Sequence, residues 1–258
     1  MSAPAAESFQ LSDYIMHHVS NSNEWHLPFN VHVVLPEYLS LHGLMVLIGA
    51  AILILFFTVF YEHNARVPTG LTNVLELGVI FVRDHIVYPF LGEEDGKRFL
   101  PVFCTFFFFI LTLNVMGNIP LFATATANIN FTAGLAFITF ILMTVGGLFR
   151  HGFIGFLKLF APSGVPIPVL FILAPIEFIG LFTKPIALMI RLFVAMLAGH
   201  IVIAAFLGLI LAFGIFALPI IVLPVAISGL EVGVAFLQAY IFTFLSALYL
   251  GQILHPEH

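Results

Sequence analysis

The sequence predicts an all-α polytopic membrane protein, from its apolar composition, its low charge and its long apolar runs. Of its 258 residues, 61% are hydrophobic and only 8% are charged. A water-soluble domain carries about a quarter charged residues, so the lipid bilayer is the natural solvent for this chain. A bilayer requires about 20 apolar residues for each crossing helix, and several runs of that length occur. Eight Lys and Arg residues are too few for a nucleic-acid surface, so we predict no nucleic-acid partner.

The chain divides into a polar N-terminal leader, residues 1–40, and a single helical membrane domain, residues 41–258. The leader contains no Lys or Arg, so a cleaved signal peptide with a basic beginning is not expected. It contains four histidines and the only tryptophan of the chain: His17, His18, His26, His32 and Trp25. We interpret the tryptophan as an interfacial anchor and the histidines as solvated, with a metal site as the less favoured alternative.

Apolar segments and helical periodicity predict six helices in the membrane domain, at residues 41–61, 71–90, 99–119, 131–149, 169–212 and 216–254. The helix at 71–90 is amphipathic and is expected at the membrane interface, whereas the other five span the bilayer. The charged segment 92–98 is predicted to be a solvated loop. The last two helices are longer than a hydrocarbon core of about 30 Å requires, so they must be strongly tilted or bent.

The basic residues predict the orientation in the membrane, because cytoplasmic loops carry an excess of Lys and Arg. Six of them flank the first three spans on one side: Arg66, Arg83, Lys97, Arg98, Arg150 and Lys158. We therefore expect the leader outside and the C-terminus in the cytoplasm.

Three charged residues, Glu177, Lys184 and Arg191, lie seven residues apart in the predicted helix 169–212. They share one helical face, because seven residues fall only about 20° short of two turns. An arginine at mid-membrane costs about 2.5 to 3.5 kcal/mol and stays protonated. A fixed cation of this kind can keep a carboxylate ionised and repel a passing proton. The alternative is a structural salt bridge inside the helix bundle.

The face of Arg191 also carries small residues, Ala187, Ala195 and Ala198. Small side chains allow another helix to approach closely, so this face is predicted to contact protein.

Further polar residues mark the last two predicted helices. His200 lies about 180° around the helix from Arg191, and Glu231 and Gln238 share a face of the next helix. An intramembrane carboxylate next to a histidine can relay protons, and simple hydrogen bonding in the core is an equal alternative. Two more polar residues lie toward the inner end: Tyr249 and Gln252.

Asparagine and threonine residues run from Asn114 and Asn118 to Thr132. They have two interpretations, as the lining of a water-filled path or as helix caps. Taken one at a time, each is more simply a cap.

The segment Ile190–His200 resembles the arginine motif of the subunit a family of F-type ATP synthases. Further matches in order and spacing are Val67–Leu71, Phe106–Pro120, Thr126–Thr132, Glu177, Lys184-Pro185 and Leu230–Tyr240. The resemblance extends from about residue 40 to residue 252, and several independent motifs carry it.

The resemblance implies a stationary subunit whose two long tilted helices face a rotating ring of c subunits. Arg191 would face the ring between two half-channels, with Gln238 near it. His200 and Glu231 would form the polar site of the outer half-channel, and Glu177 would line the inner one. The predicted proton path also includes Asn114 and Gln252, and the supporting residues are Lys184 and Tyr249.

The implied partners are the c-ring (proteolipid subunit c), the peripheral stalk subunit b, the F₁ sector indirectly, and the lipid bilayer. We predict no cofactor, no metal and no catalytic chemistry in this chain, whose role is ion translocation in a bacterial inner membrane. Two other functions remain as hypotheses, a self-contained proton-coupled secondary transporter and a membrane scaffold. The sequence lacks the internal repeat that is usual in such transporters.

The sequence departs from the family pattern at three positions. Alanine stands at 187 and 195, where many members have serine and asparagine, so no role carries over to these two positions. Glycine stands at 117, where some members have a carboxylate, and the nearby asparagines are predicted to serve the access path instead.

Overall fold

The structure, a computed structural model, describes residues 24–27, 31–36, 40–59, 70–119, 122–160, 166–213 and 222–256. Its elements there are β1 (Glu24–Leu27), β2 (Val31–Val34), α1 (Leu41–Val59), α2 (Leu71–Val82), α3 (Tyr88–Gly117), α4 (Ile129–Leu159), α5 (Ile167–Phe213) and α6 (Val222–Leu254). A π-helical segment, Arg83–Val87, joins α2 to α3, and a 3₁₀ turn, Ala125–Ala127, precedes α4. Five helical stretches in the described residues are long and apolar enough to cross a membrane. The predicted all-α polytopic fold is confirmed.

The leader contains one element that the sequence analysis did not predict, a short antiparallel hairpin. In it β1 and β2 pair with Glu24 opposite Val34 and Leu27 opposite Val31. Three of the four residues of β2 are valines, and β-branched residues favour strands. Most of the leader, including His17 and His18, lies outside the described residues.

The charged segment 92–98 is helical, so the prediction of a loop there was wrong. It lies within α3, and the amphipathic helix predicted at 71–90 is the first part of one helical stretch from Leu71 to Gly117. Glu93 and Lys97 form an i,i+4 ion pair, with Oε2 and Nζ 3.8 Å apart, and such residues are good helix formers. Gly92 changes the direction of the helix, because its φ of 71° lies in the left-handed region that favours glycine.

Helix α4 extends to Leu159, ten residues beyond the predicted end at residue 149. The apolar run does end at Phe149, but the helix continues through Arg150 and has a backbone break at Gly152, where φ is 69°. A change from apolar to charged residues marks where a chain leaves the lipid, and it does not by itself end a helix.

Helices α5 and α6 are long, with 47 and 33 residues. At 1.5 Å per residue they reach roughly 70 Å and 50 Å, so they cross a hydrocarbon core of about 30 Å only when tilted or bent. The predicted boundary between them, at residues 213–215, lies almost entirely outside the described residues. Helix α6 packs mainly against α3, where Phe106 and Phe242 make an edge-to-face contact with centroids 5.7 Å apart.

Candidate functional site

Arg191 lies on an exposed face of α5, among apolar residues. Its neighbours Ile190 and Val194 are each 49% exposed, and Ala187 and Ala198 are also exposed. Within the part of the chain that the structure describes, Arg191 has no ion pair and no hydrogen bond through its side chain. A guanidinium in this position is therefore available to a group outside these residues.

His200, nine residues further along α5, points into the protein and joins three segments. Its Nδ1 lies 2.9 Å from the carbonyl oxygen of Met196, one helical turn earlier. Its Nε2 lies 2.7 Å from Oγ1 of Thr124 and 3.2 Å from the carbonyl oxygen of Gly117. The end of α3, the segment before the 3₁₀ turn and α5 therefore meet at this one imidazole.

Glu231 of α6 is buried next to the histidine. Its side chain packs directly on Gly199, the residue that precedes His200, and any Cβ at position 199 would overlap Oε1 of Glu231. Glycine thus lets the carboxyl group approach the backbone of α5. Glu231 thus lies beside the turn of α5 that carries His200, whereas no hydrogen bond of the described residues joins the two side chains, so their predicted pairing stays a prediction.

Asn114 links α3 to the same region. It is fully buried in the last turn of α3, and its Nδ2 donates across to the carbonyl oxygen of Ala235 in α6, one turn beyond Glu231. It is therefore not a helix cap, and that interpretation was wrong for this residue. Asn128 does cap α4, since its Oδ1 accepts from the backbone N–H of Asn130, and Asn118 is the residue that follows the end of α3.

We call this region the buried polar cluster, defined by Asn114, Asn118, Thr124, Thr126, His200 and Glu231. The described residues leave several of its buried atoms without a protein partner: Oδ1 of Asn114, Oδ1 and Nδ2 of Asn118, Oγ1 of Thr126 and Oε1 of Glu231. An unsatisfied buried polar atom costs about 1 to 3 kcal/mol, and water is the usual partner where protein supplies none. The chemistry of the cluster therefore favours internal water.

Gln238 is buried on α6, two turns from Glu231, and its Nε2 has no partner among the described residues. Burial of both side chains agrees with the shared face that their spacing predicts. No hydrogen bond of the described residues joins Gln238 to Arg191, so their predicted proximity stays a prediction.

A second polar region lies on the other side of Arg191, where a cavity of about 980 Å³ opens between α3, α4, α5 and α6. Four polar residues line it: Glu177, Lys184, Gln252 and His255. Lys184 Nζ donates to Oε1 of Gln252 at 2.9 Å and lies 5.4 Å from the centre of the Tyr249 ring. We call this region the open cavity. It brings Glu177 and Lys184 of α5 together with Gln252 of α6, while Tyr249 lies beside Lys184.

Several contributors were missed by the sequence analysis. Oδ2 of Asp95 lies 3.1 Å from Nε2 of His255, which lines the open cavity, and 3.9 Å from Nη2 of Arg150. Thr124 was noted only as part of a polar run, and Gly199 was not singled out as a contact. No local pattern identifies such residues, because their importance comes from which segments the fold brings together. Among the described residues, no group of three or more His, Cys, Asp or Glu side chains could hold a metal ion.

Comparison with known proteins agrees with this geometry. The family model for the ATP synthase A chain matches residues 43–251. The chain is 44% identical over 231 residues to ATP synthase subunit a of Anaeromyxobacter sp. (strain Fw109-5), an alignment that covers 84% of this chain and 55% of that protein. It is 42% identical to that of Chloroherpeton thalassium (94% of this chain, 77% of that protein) and 39% identical to that of Myxococcus xanthus (93% and 87%).

The chain spans about half the length of the Anaeromyxobacter relatives that it matches. The match nevertheless includes α1 to α6 almost completely, with Arg191 and the buried polar cluster inside it, and it ends one residue before Gln252 of the open cavity. The family resemblance predicted from the arginine motif is therefore confirmed, and this chain belongs to the ATP synthase A chain family.

Proposed function

We propose that this chain is the stationary proton-channel subunit of a rotary F-type ATP synthase in a bacterial inner membrane. The observation that carries the proposal is Arg191, a cation on an exposed apolar face of α5 with no partner among the described residues. It lies between two separate polar regions, roughly 14 Å from His200 and 10 Å from Lys184 along the helix. Family membership supports the same role.

The position of Arg191 calls for a counter-charge outside the chain. A charge inside a bilayer is tolerated when it is paired or faces a polar path, and the described residues supply no carboxylate to pair with it. A carboxylate on a rotating ring of c subunits meets this need. The small residues Ala187 and Ala198 beside Arg191 leave room for a ring helix to approach.

The two polar regions form the two half-channels of the proposal. A proton enters through the buried polar cluster and neutralises a ring carboxylate, which can then rotate through lipid. It leaves through the open cavity when Arg191 returns the carboxylate to its ionised form, because a fixed cation favours ionisation. Arg191 itself keeps its proton throughout and separates the two paths. In this proposal Gln238 lies near Arg191 on the neighbouring helix.

The proposed topology puts the leader, residues 1–40, outside and the C-terminus in the cytoplasm, so the buried polar cluster opens outward and the cavity inward. The membrane domain, residues 41–258, acts as one unit with the c-ring and the peripheral stalk subunit b, and it is coupled to the F₁ sector only indirectly.

The test is Arg191→Lys in the assembled complex in inverted membrane vesicles, with ATP-driven acidification followed by a pH-sensitive dye. We expect near-complete loss of pumping, because lysine lacks the planar fork of arginine and loses its proton more readily. Arg98→Lys is the matched control, since Arg98 is exposed in the charged part of α3.

Pumping at the wild-type rate in Arg191→Lys would refute the half-channel mechanism and favour a structural arginine. Purification in mild detergent tests the partner separately. The proposal requires a small proteolipid with a buried carboxylate to co-purify, whereas proton transport by the chain alone would identify a self-contained transporter.

A further inference from the structure

The hydrogen bonds of His200 specify which of its nitrogens carries a proton. The partner of Nδ1, at 2.9 Å, is the carbonyl oxygen of Met196. A carbonyl oxygen only accepts, so this contact is a hydrogen bond only when Nδ1 is protonated. In the neutral ring the other nitrogen, Nε2, is then the acceptor.

Thr124 is the one donor that the described residues offer to Nε2. Its Oγ1 lies 2.7 Å from Nε2, while the other group near Nε2, the carbonyl oxygen of Gly117 at 3.2 Å, cannot donate. The same hydroxyl lies 3.3 Å from the Gly117 carbonyl oxygen. Thr124 is itself buried, with 4% of its surface exposed, while His200 is half-buried.

A hydroxyl can satisfy Nε2 in both charge states because it donates one hydrogen bond and accepts others. When the ring is neutral, the hydroxyl donates to Nε2. When Nε2 is protonated, its N–H donates to Oγ1 and the hydroxyl proton turns to the Gly117 carbonyl oxygen. The Nδ1–H bond to Met196 is unchanged in both states.

We propose that Thr124 is the positioning residue of His200 and makes Nε2 the nitrogen that exchanges protons. This inference rests on the proposed function, since it assigns the atom through which the outer half-channel works. When His200 takes up a proton, the lone pair of Nε2 forms a new N–H bond with it. When the proton leaves, this bond breaks and the ring is neutral again. No other covalent bond to His200 changes.

Gly117 also contributes to the position of Thr124. A Cβ at position 117 would lie 2.7 Å from Cγ2 and 2.9 Å from Oγ1 of Thr124, which is closer than real Cβ contacts allow. Any side chain here would displace the threonine from His200. The glycine at 117 therefore fits a site in which threonine and the glycine carbonyl, rather than a side chain from position 117, surround the imidazole.

The test compares Thr124→Val with Thr124→Ser in the assembled complex, using proton flux in vesicles. Valine keeps the shape of threonine but removes the hydroxyl, whereas serine keeps the hydroxyl. We expect about a tenfold slower flux with valine, as for the loss of one hydrogen bond to a buried group, and flux within about twofold of wild type with serine. Thr144→Val is the control, because the Thr144 hydroxyl donates only to Phe140 of its own helix.

Nitrogen-15 NMR of the complex with labelled histidine measures the chemical shift of Nε2. This shift reports the hydrogen bonding of the imidazole, which a change in packing alone would leave the same. The His200 signal is identified by its loss in His200→Ala, and we expect its Nε2 resonance to shift in Thr124→Val and to keep its position in Thr124→Ser. If Thr124→Val does not assemble, Gly117→Ala is expected to give the same shift and the same loss of flux.

An unchanged Nε2 resonance, or equal loss of flux with valine and serine, would overturn the assignment. If proton flux is slow in His200→Ala but normal in Thr124→Val, the assignment of Thr124 is overturned and the proposed function is unaffected. Normal flux in both His200→Ala and Arg191→Lys would instead overturn the proposed function.

Discussion

The buried polar cluster and the open cavity lie on opposite sides of Arg191, and they satisfy their polar groups in different ways. In the cluster, His200 and Glu231 are enclosed by α3, α5 and α6, with contacts that depend on the absence of a side chain at Gly199. In the cavity, Lys184 and Gln252 form an exposed hydrogen bond beside about 980 Å³ of open space. A buried group has few replacements for a lost partner, whereas water replaces a partner in an open space. Substitutions in the buried polar cluster should therefore lower proton flux far more than substitutions in the open cavity.

The largest effects after Arg191 are expected at His200 and Glu231. We expect His200→Ala and Glu231→Gln each to slow proton flux by about a hundredfold, the lower end of what a positioned acid or base contributes. Flux is measured in vesicles with the F₁ sector removed and an imposed potential. Glu94→Gln and His85→Ala are the matched controls, since both side chains are exposed on the α2–α3 stretch. Unchanged flux in both cluster variants would assign His200 and Glu231 a purely structural role.

A smaller effect is expected at Gly199, which has no polar side chain. Gly199→Ala adds a Cβ where Oε1 of Glu231 lies, so the carboxyl group must move away from α5. We expect flux to fall about tenfold while the complex still assembles, because displacement by about 1 Å lowers activity without removing the group. The assay is the same flux measurement, with Gly134→Ala as control, since a Cβ there meets nothing within 4 Å. Wild-type flux in Gly199→Ala would mean that the position of Glu231 is not critical.

Much of this architecture follows from local sequence, because bilayer thickness and helical periodicity are simple rules. The apolar runs predicted helices where α1, α5 and α6 lie. The rules failed where charge was taken to mean a loop, at residues 92–98, and where helix α4 continues past Phe149. Charged residues are good helix formers, so a helix can leave the lipid without ending.

The site was predicted less completely, for a different physical reason. His200, Glu231 and Asn114 are polar residues in apolar helices, and such residues stand out in any sequence. Thr124 and Gly199 do not stand out, because threonine and glycine are common in membrane helices and loops, and Gly117 was noted only as a departure from the family pattern. They matter through contacts between segments up to 83 residues apart, such as Gly117 and His200. Only the packing of α3 against α5 and α6 brings these together.

The smallest effect is expected in the open cavity. It tests whether polar contacts there are replaceable by water, unlike those of the buried polar cluster. Lys184→Ala and Gln252→Ala each remove one partner of an exposed hydrogen bond, and water can reach the remaining group. We expect proton flux to stay within about threefold of wild type for each, since exposed ion pairs and hydrogen bonds contribute about 0 to 1 kcal/mol. The double variant should be no slower than the product of the single effects, because the two residues share one hydrogen bond and the second substitution has no further bond to remove. Lys158→Ala, an exposed lysine near the end of α4, controls for the loss of one positive charge. A loss as large as that of His200→Ala would show that the cavity depends on a fixed partner geometry as much as the buried polar cluster does, and the contrast between the two regions would then fail.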